Sequence, residues 1–230
     1  MTVDNKVAPI RPPKAPNLPI GPVDYNQQYQ DQFSNALRLY FAQIDNFALG
    51  LTSGAGGATI KFPFIAASDS TDQYATAANT PTIIKWSTLE AGNGFTLNAG
   101  NTATANVPGI YKITYSLQLA NDDNAAHDSI VWLRINGSTS AADVPNSTTI
   151  FTVPARKSAG IPSYVCGYSE VVFSLNVGDI VGLWWGTDQA ATSGGATGTY
   201  IHHQVAQTTP MAYPATPSAI GSITFVSALY

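Results

Sequence analysis

The sequence predicts a mainly β protein, a jelly-roll β-sandwich preceded by a proline-rich arm and one N-terminal helix. Three observations carry that expectation. Charged residues make up 10% of the chain, against roughly 25% in an average soluble domain, and Ser, Thr, Asn and Gln carry the polarity among 19 Gly and 15 Pro. A helical bundle would be rich in Glu, Lys, Leu and Ala at helical spacing, and a disordered chain would be highly charged and poor in aromatics. Beyond residue 58, apolar and polar residues alternate with a period of two in several short runs, the mark of half-buried strands. Turn signals separate those runs, at Asn93-Gly94, Pro108-Gly109, Asn136-Gly137 and Val177-Gly178-Asp179. A length of 230 residues suits one domain with appendages.

Residues 1–24 read as a proline-rich extended arm. Pro9, Pro12, Pro13, Pro16, Pro19 and Pro22 forbid helix and favour polyproline II. Val7, Ile10, Leu18, Ile20 and Val23 punctuate it. These apolar residues suit an arm that lies along a partner surface, the alternative being a passive linker. Residues 25–49 read as an attachment or oligomerisation helix with Asp24 as its N-cap. Phe33, Leu37, Tyr40, Ile44 and Phe47 follow the a/d rhythm of a coiled coil, and Tyr25 and Tyr29 extend the stripe at a spacing of four. About two heptads are marginal alone, so the stripe serves self-association or packs on another surface. Gly50 is expected to end the helix, and residues 50–58, with Gly54, Gly56 and Gly57, form a glycine-rich joint.

Residues 59–230 are the expected head. Strands are expected at 59–66, 81–87, 94–98, 102–107, 109–119, 129–136, 148–153, 163–175, 179–186, 199–206 and 218–227. Ile110, Lys112, Thr114 and Ser116 oppose Tyr111, Ile113, Tyr115 and Leu117, while Val131, Leu133 and Ile135 oppose Trp132, Arg134 and Asn136. So many short strands without helices suit a jelly roll. No period of 20–50 residues is visible, which excludes propellers and solenoids.

The composition also excludes function classes. The net charge is −4 and no basic stripe exists, which excludes a nucleic-acid partner. Cys166 is the single cysteine, so no internal disulfide forms. It is expected as a small buried hydrophobe within strand 163–175. No apolar run approaches the roughly 20 residues of a membrane span, and the N-terminus lacks a signal-peptide core. The expectation is synthesis in a reducing cytoplasm with no membrane insertion.

Catalytic chemistry has little support. His202 and His203 are adjacent in an expected strand and so point to opposite faces, while His127 stands beside Asp128. Gly167-Tyr168-Ser169-Glu170-Val171 fails the nucleophile-elbow pattern at its last position. No catalytic, cofactor-binding or metal-ligating residue is assigned. The loop Asn121-Asp122-Asp123-Asn124 could offer oxygens to calcium, the alternative being turn formation. Asn136-Gly137-Ser138 and Asn146-Ser147-Thr148 match glycosylation sequons but read as turns. Trp184 and Trp185 are consecutive, so one faces the core. Trp184, Trp185 and Phe225 are candidates for a protomer interface, and the outward tryptophan could instead be a sugar-stacking platform. Thr187–Gly198 reads as an exposed loop, either a receptor contact or a plain connector.

The runs PGIYKITYSLQL, SIVWLRINGS, VPNSTTIFTVPARKSAG, VVFSLNVGDIVGLWW and PATPSAIGSITFVS occur in that order. Together they resemble the globular-head jelly roll of the complement and tumour-necrosis-factor superfamily, and more closely its versions in structural proteins of tailed bacteriophages. Leu175, Asn176, Gly178, Asp179 and Val181 carry the shared step. Residues 15–46, APNLPIGPVDYNQQYQDQFSNALRLYFAQIDN, resemble an attachment module at the head of phage virion proteins. The resemblance implies a non-enzymatic homotrimer located in the virion. Its arm and helix would dock on other virion proteins of capsid, neck or tail through Ile10, Leu18, Ile20, Tyr29, Phe33, Leu37, Tyr40, Ile44 and Phe47. Its head would contact a host cell-surface glycan or protein, as a short tail fibre or spike. The alternative is a capsid decoration protein that cements the shell. A third reading, a virion-borne glycan depolymerase, needs a carboxylate pair in a groove, and no spacing supports one. The resemblance implies no cofactor beyond calcium, which some superfamily heads hold near their three-fold axis.

Overall fold

The structure is a computed structural model that describes residues 13–18, 20–21, 23–52 and 62–229. The chain divides into two units, one up to residue 61 and one from residue 62 onward.

The first unit contains helix α1, Gln27–Thr52. Its N-cap is Asn26 rather than Asp24: the Tyr29 amide donates to Asn26 Oδ1 at 3.0 Å, the bond that satisfies an otherwise orphaned first-turn N–H. Tyr25 therefore precedes the helix, 83% exposed, and does not extend the stripe. The helix also runs through Gly50 instead of ending there. Glycine costs a helix interior only about 1 kcal/mol relative to alanine. The a/d rhythm consequently gains Leu51, four residues beyond Phe47. At 26 residues the helix is about 39 Å long.

The second unit is a sandwich of two antiparallel sheets. Its strands are β1 (Phe64–Asp69), β2 (Thr82–Ile83), β3 (Thr88–Asn93), β4 (Phe95–Leu97), β5 (Ala103–Ala105), β6 (Gly109–Asn121), β7 (His127–Ile135), β8 (Thr149–Val153), β9 (Ser163–Leu175), β10 (Ile180–Thr187), β11 (Thr199–Ile201) and β12 (Ala219–Ser227). The first sheet runs β9-β6-β12-β1-β3, with β11 beside the end of β6. The second runs β4-β5-β10-β7-β8, with β2 beside β10. Chain neighbours repeatedly cross between sheets, so β6 lies between β12 and β9, and β10 between β5 and β7. This interleaving is the Greek-key winding of a jelly roll.

The alternation of β6 places Tyr111, Ile113, Tyr115, Leu117 and Leu119 in the core, none more than 1% exposed. Val131 and Leu133 face them from β7, as do Val181, Leu183 and Trp185 from β10. Each of the aliphatic side chains among them contributes about 1.5–3 kcal/mol by leaving water, while the Tyr115 hydroxyl and Trp185 Nε1 are buried without a hydrogen-bond partner, which costs part of that gain. The Leu-Asn-x-Gly-Asp step forms the β9–β10 turn. Gly178 takes φ +87°, and Asp179 Oδ2 accepts from the Asn176 amide at 2.7 Å. Asp179 Oδ1 accepts from Asn136 Nδ2 at 2.7 Å, while Asn136 Oδ1 accepts from the Ile180 amide at 2.8 Å. Two turns are thereby tied at one end of the sandwich. Asn136 and Asn146, the two sequon residues, occupy turns at φ +60° and +62°.

Several expectations change. Strand β3 was not expected: its TLEAGN sequence shows no alternation, and the backbone ladder to β1 creates it. β1 starts at Phe64 rather than 59, and 59–61 lie outside the described residues, as do 53–58 of the joint and residues 1–12 of the arm. The 199–206 strand stops at Ile201, so His202 and His203 are not opposed strand residues. Cys166 is exposed on β9, not buried, with its sulfur 3.3 Å from Ser116 Oγ.

Candidate functional site

Three surfaces hold the unusual side chains. The most ordered is the outer face of the second sheet. Strand parity sends Trp132, Arg134 and Trp184 there, and Trp132 pairs directly with Trp184 across β7 and β10. The Arg134 guanidinium stands 4.4 Å from the Trp184 ring centroid and 5.4 Å from that of Trp132. Asp143 Oδ1 accepts from Arg134 Nε at 2.6 Å and from Trp132 Nε1 at 2.8 Å. Arg134 Nη1 donates to the Ser138 carbonyl at 2.5 Å. The guanidinium is thus 4% exposed yet satisfied by a carboxylate, a carbonyl and two π faces. The Arg134 hydrogen bond holds the Asp143 carboxyl below its ordinary range.

Two grooves flank this stack. One, about 600 Å³, is walled by Trp184 with Ile83, Thr102 and Ile180. The other, about 270 Å³, is walled by Trp132 with Asn79, Asp128, Gly186 and Asp188. Gly182 lies beneath Trp184, and a Cβ there would make tight contacts of 3.2 Å with Trp184 Nε1 and Thr102 Cγ2.

The second surface is a loop cluster at the end of the sandwich. Asn121 is fully buried and donates through Nδ2 to the carbonyls of Ala125, Val153 and Pro154. Asp122 Oδ1 accepts from the Gly198 amide at 2.7 Å. Asp123 accepts from Thr197 at 3.0 Å and meets His127 Nε2 at 2.8 Å. His127 Nδ1 lies 3.3 Å from Asp188. Four side-chain oxygens of the acidic loop considered for calcium, Asn121 Oδ1, Asp122 Oδ1 and both of Asp123, thus face protein donors. Among the described residues no group of three or more His, Cys, Asp or Glu side chains could hold a metal ion.

Hydrogen bonds from His127 and the Asn124 amide hold Asp123 down to about 2, so it stays ionised and is unsuited to donate a proton to a glycosidic oxygen. Burial opposes charge on His127, but the hydrogen bonds and charges of Asp123 and Asp188 outweigh it and raise its pKa above 6.5. The raised histidine lends stability that is complete below 6.5 and lost as pH rises through its folded pKa. The lowered Asp123 lends stability that is complete above 3.8 and lost as pH falls toward about 2. The loops should therefore be held best between pH 3.8 and 6.5. The Asp128 amide, which donates to Asp188 Oδ1 at 3.1 Å, should lose hydrogen-exchange protection, corrected for intrinsic rate, from pH 6 to 9. His127→Gln should flatten that profile. Constant protection in the native chain would show that the histidine staples nothing.

The third surface is the outer face of the first sheet. Tyr164, Cys166, Tyr168 and Val172 of β9 share it with Ile220 and Val226 of β12, all exposed. Its charged side chains are Lys112 and Glu170, paired at 3.3 Å, and Glu90, which accepts from Ser68 at 2.5 Å. At the end of β11, His202 meets Asp72 at 3.1 Å and Gln204 at 3.2 Å, while His203 Nδ1 meets the Thr216 carbonyl at 2.9 Å.

Of the interface candidates, only Trp184 stands on an outer face. Trp185 is 0% exposed in the core and cannot touch a second protomer, a correction to the sequence expectation. Phe225 is turned inward, edge-on to Tyr111 at 5.7 Å and stacked on Phe62 at 6.2 Å. Of the docking residues, Tyr29, Phe33, Leu37, Tyr40, Ile44 and Phe47 are partly exposed along one helix stripe. Leu18 and Ile20 are 43% and 96% exposed, and Ile10 lies outside the described residues. Sequence reasoning missed Trp132, Arg134 and Asp143. The available signal was Gly182-Leu183-Trp184-Trp185-Gly186, which places two glycines on the same face as Trp184.

No protein-family model matches the chain, and no curated protein matches its sequence. Among solved structures, the globular domain of zebrafish complement 1qA protein is 13% identical, with TM-score 0.42, covering 74% of this chain and 100% of its own. Murine APRIL, in a crystal structure at pH 5.0, is 17% identical, with TM-score 0.42, covering 72% of this chain and 100% of its own.

Proposed function

We propose that the chain is a non-enzymatic structural protein of a tailed-bacteriophage virion. It works as a homotrimer, docked on the particle by its arm and helix, with the jelly-roll head displayed as a short tail fibre or spike for host-surface contact. The observation that carries this reading is the helix. It has 26 residues and charges only at Asp31, Arg38 and Asp45. Beyond its stripe it exposes Leu39, Phe41 and Leu49 by 56%, 57% and 67%. Such a surface is what a docking or assembling element presents. The outer face of the first sheet supports association of the heads, since exposed apolar side chains there outnumber charges. Closed symmetry is the usual way to cover such a face without building filaments. The sequence resemblance supplies the three-fold number and the virion setting.

The test is electron microscopy of virions of the source phage with a label on the head, combined with the solution mass of the purified chain. A trimer mass with label at tail or neck is the expected result. Label across the whole capsid lattice would replace the fibre role by decoration. Absence from the particles would overturn the virion reading.

A further inference from the structure

We infer that the outer face of the second sheet binds saccharide, with the Trp132 groove as the primary subsite and the Trp184 groove as its neighbour, and that it selects neutral or amino-bearing sugars over acidic ones. This deepens the host-contact role proposed above and rests on it.

The first argument is the floor and wall of the groove. Gly186 lines the floor without a side chain: a Cβ there would fit in ordinary contact, 3.7 Å from the Thr80 carbonyl oxygen and 3.8 Å from Trp132 Cη2, so its absence leaves about a methyl group's depth to a ligand. Glycine inside a strand weakens it, and often marks a place where a ligand approaches the backbone closely. The Trp132 indole walls that opening. Pyranose rings carry an apolar C–H face that packs on an indole, and their hydroxyls need polar partners beside it.

The second argument is preorganisation. Asp143 accepts from both the Trp132 indole and Arg134, and the Arg134 guanidinium stands over both tryptophan rings. Both indoles are held in place before any ligand arrives, so binding loses little side-chain entropy. The Arg134 side chain is 4% exposed, and its pairing with Asp143 and the Ser138 carbonyl offsets the cost of burying it.

The third argument is charge. Asp128, Asp188 and Asn79 stand at the Trp132 groove. Asp128 Oδ1 accepts from Thr152 at 2.6 Å, and Asp188 Oδ1 from the Asp128 amide at 3.1 Å. His127 Nδ1 lies 3.3 Å from Asp188, so Asp128 is the carboxylate left to receive a sugar hydroxyl. Carboxylates accept hydroxyl or ammonium protons and repel carboxylates. With a net charge of −4 on the chain, uronic- and sialic-acid polymers are disfavoured.

Tryptophan fluorescence can read this directly. Of the four tryptophans, Trp86 and Trp185 are no more than 2% exposed, so a ligand-dependent change reports Trp132 and Trp184. The full chain is titrated with oligomers of N-acetylglucosamine, glucose and galactosamine, and with oligogalacturonate. The expected result is saturable quenching by at least one of the first three, with at least tenfold weaker response to oligogalacturonate. Gly186→Val should abolish it by filling the floor, Asp128→Asn should weaken it several-fold with both reporter tryptophans kept, and Cys166→Ser should leave it unchanged. Unaltered circular dichroism shows that the variants fold. No quenching by any oligomer, or quenching untouched by Gly186→Val, overturns the inference. Virions that incorporate Gly186→Val normally but no longer adsorb would separate failure of this site from failure of the docking role.

Discussion

Replacing Leu37 and Ile44 together by aspartate is expected to remove the protein from particles while leaving the head folded. The two residues stand seven apart on the stripe and are partly exposed. Once the stripe meets its partner they would be enclosed, and each carboxylate would enter apolar surroundings without a counter-charge. An unpaired charge in such surroundings is strongly unfavourable, so a partner surface would reject the doubly charged helix. In water the same aspartates cost the helix little, about 0.5 kcal/mol each in intrinsic propensity. The sandwich is a separate unit with its own core, so its thermal transition should not move. Incorporation measured by quantitative gel staining of purified virions should fall at least tenfold. If the double variant is packaged at the native level, the helix is not the docking element and the arm becomes the candidate. Loss of the trimer mass in solution, rather than loss of packaging, would assign the stripe to self-association.

The parts of the fold that could be read in advance are those in which one face of a strand differs sharply from the other. In β6 the inward set is Tyr111, Ile113, Tyr115, Leu117 and Leu119, and the outward set contains Lys112, Thr114 and Ser116. Water and core distinguish the two sets, and alternation reports the difference. In β9 both sets are comparably apolar, with Tyr164, Cys166, Tyr168 and Val172 outward against Val165, Gly167, Val171 and Phe173 inward. Periodicity cannot then assign the face, and the buried reading of Cys166 was the consequence. That ambiguity is itself informative, since an outward face as apolar as the core is one that expects a partner. Strand β3 escaped for the opposite reason. Its residues are exposed or nearly so, and a backbone ladder has no sequence period.

The same division applies to the candidate sites. Consecutive tryptophans guarantee that one leaves the core, and Trp184 did so on the side opposite Trp185. The arginine over the two rings and the aspartate that anchors it could not be read in advance. Asp143 is nine residues from Arg134 and reaches it through a turn that follows the strand. Contacts made by a loop folding back depend on the turn's dihedrals, which hydrophobic pattern does not encode. The Asp179–Asn136 tie, by contrast, lay within recognisable motifs, because both members are turn residues next to glycine at 178 and 137.

The largest effect on folding is expected at Gly221, through its neighbour Trp86. Gly221 faces the core from β12, opposite Tyr115 on β6 and Ala67 on β1. The Trp86 indole, 2% exposed, lies directly on it. A Cβ at 221 would stand 2.8 Å from Trp86 Cε2, and Cζ2 would be closer still. Backbone strain plays no part, because the residue sits within a regular ladder with no positive φ. The penalty of Gly221→Val is steric: one of the two core tryptophans must leave its place. Overpacking of this kind costs about 1–3 kcal/mol and sometimes more. A loss of about 3 kcal/mol would lower the melting temperature by roughly 6–12 °C in a domain of this size. The pair also makes a thermodynamic cycle. Trp86→Leu alone vacates the volume above Gly221 and destabilises by a few kcal/mol, as large-to-small core changes do. Added to Trp86→Leu, Gly221→Ala should cost at least 1 kcal/mol less than it does in the native background, because the new methyl group then fills space instead of displacing a ring. Equal costs in the two backgrounds would mean that the indole does not rest on residue 221.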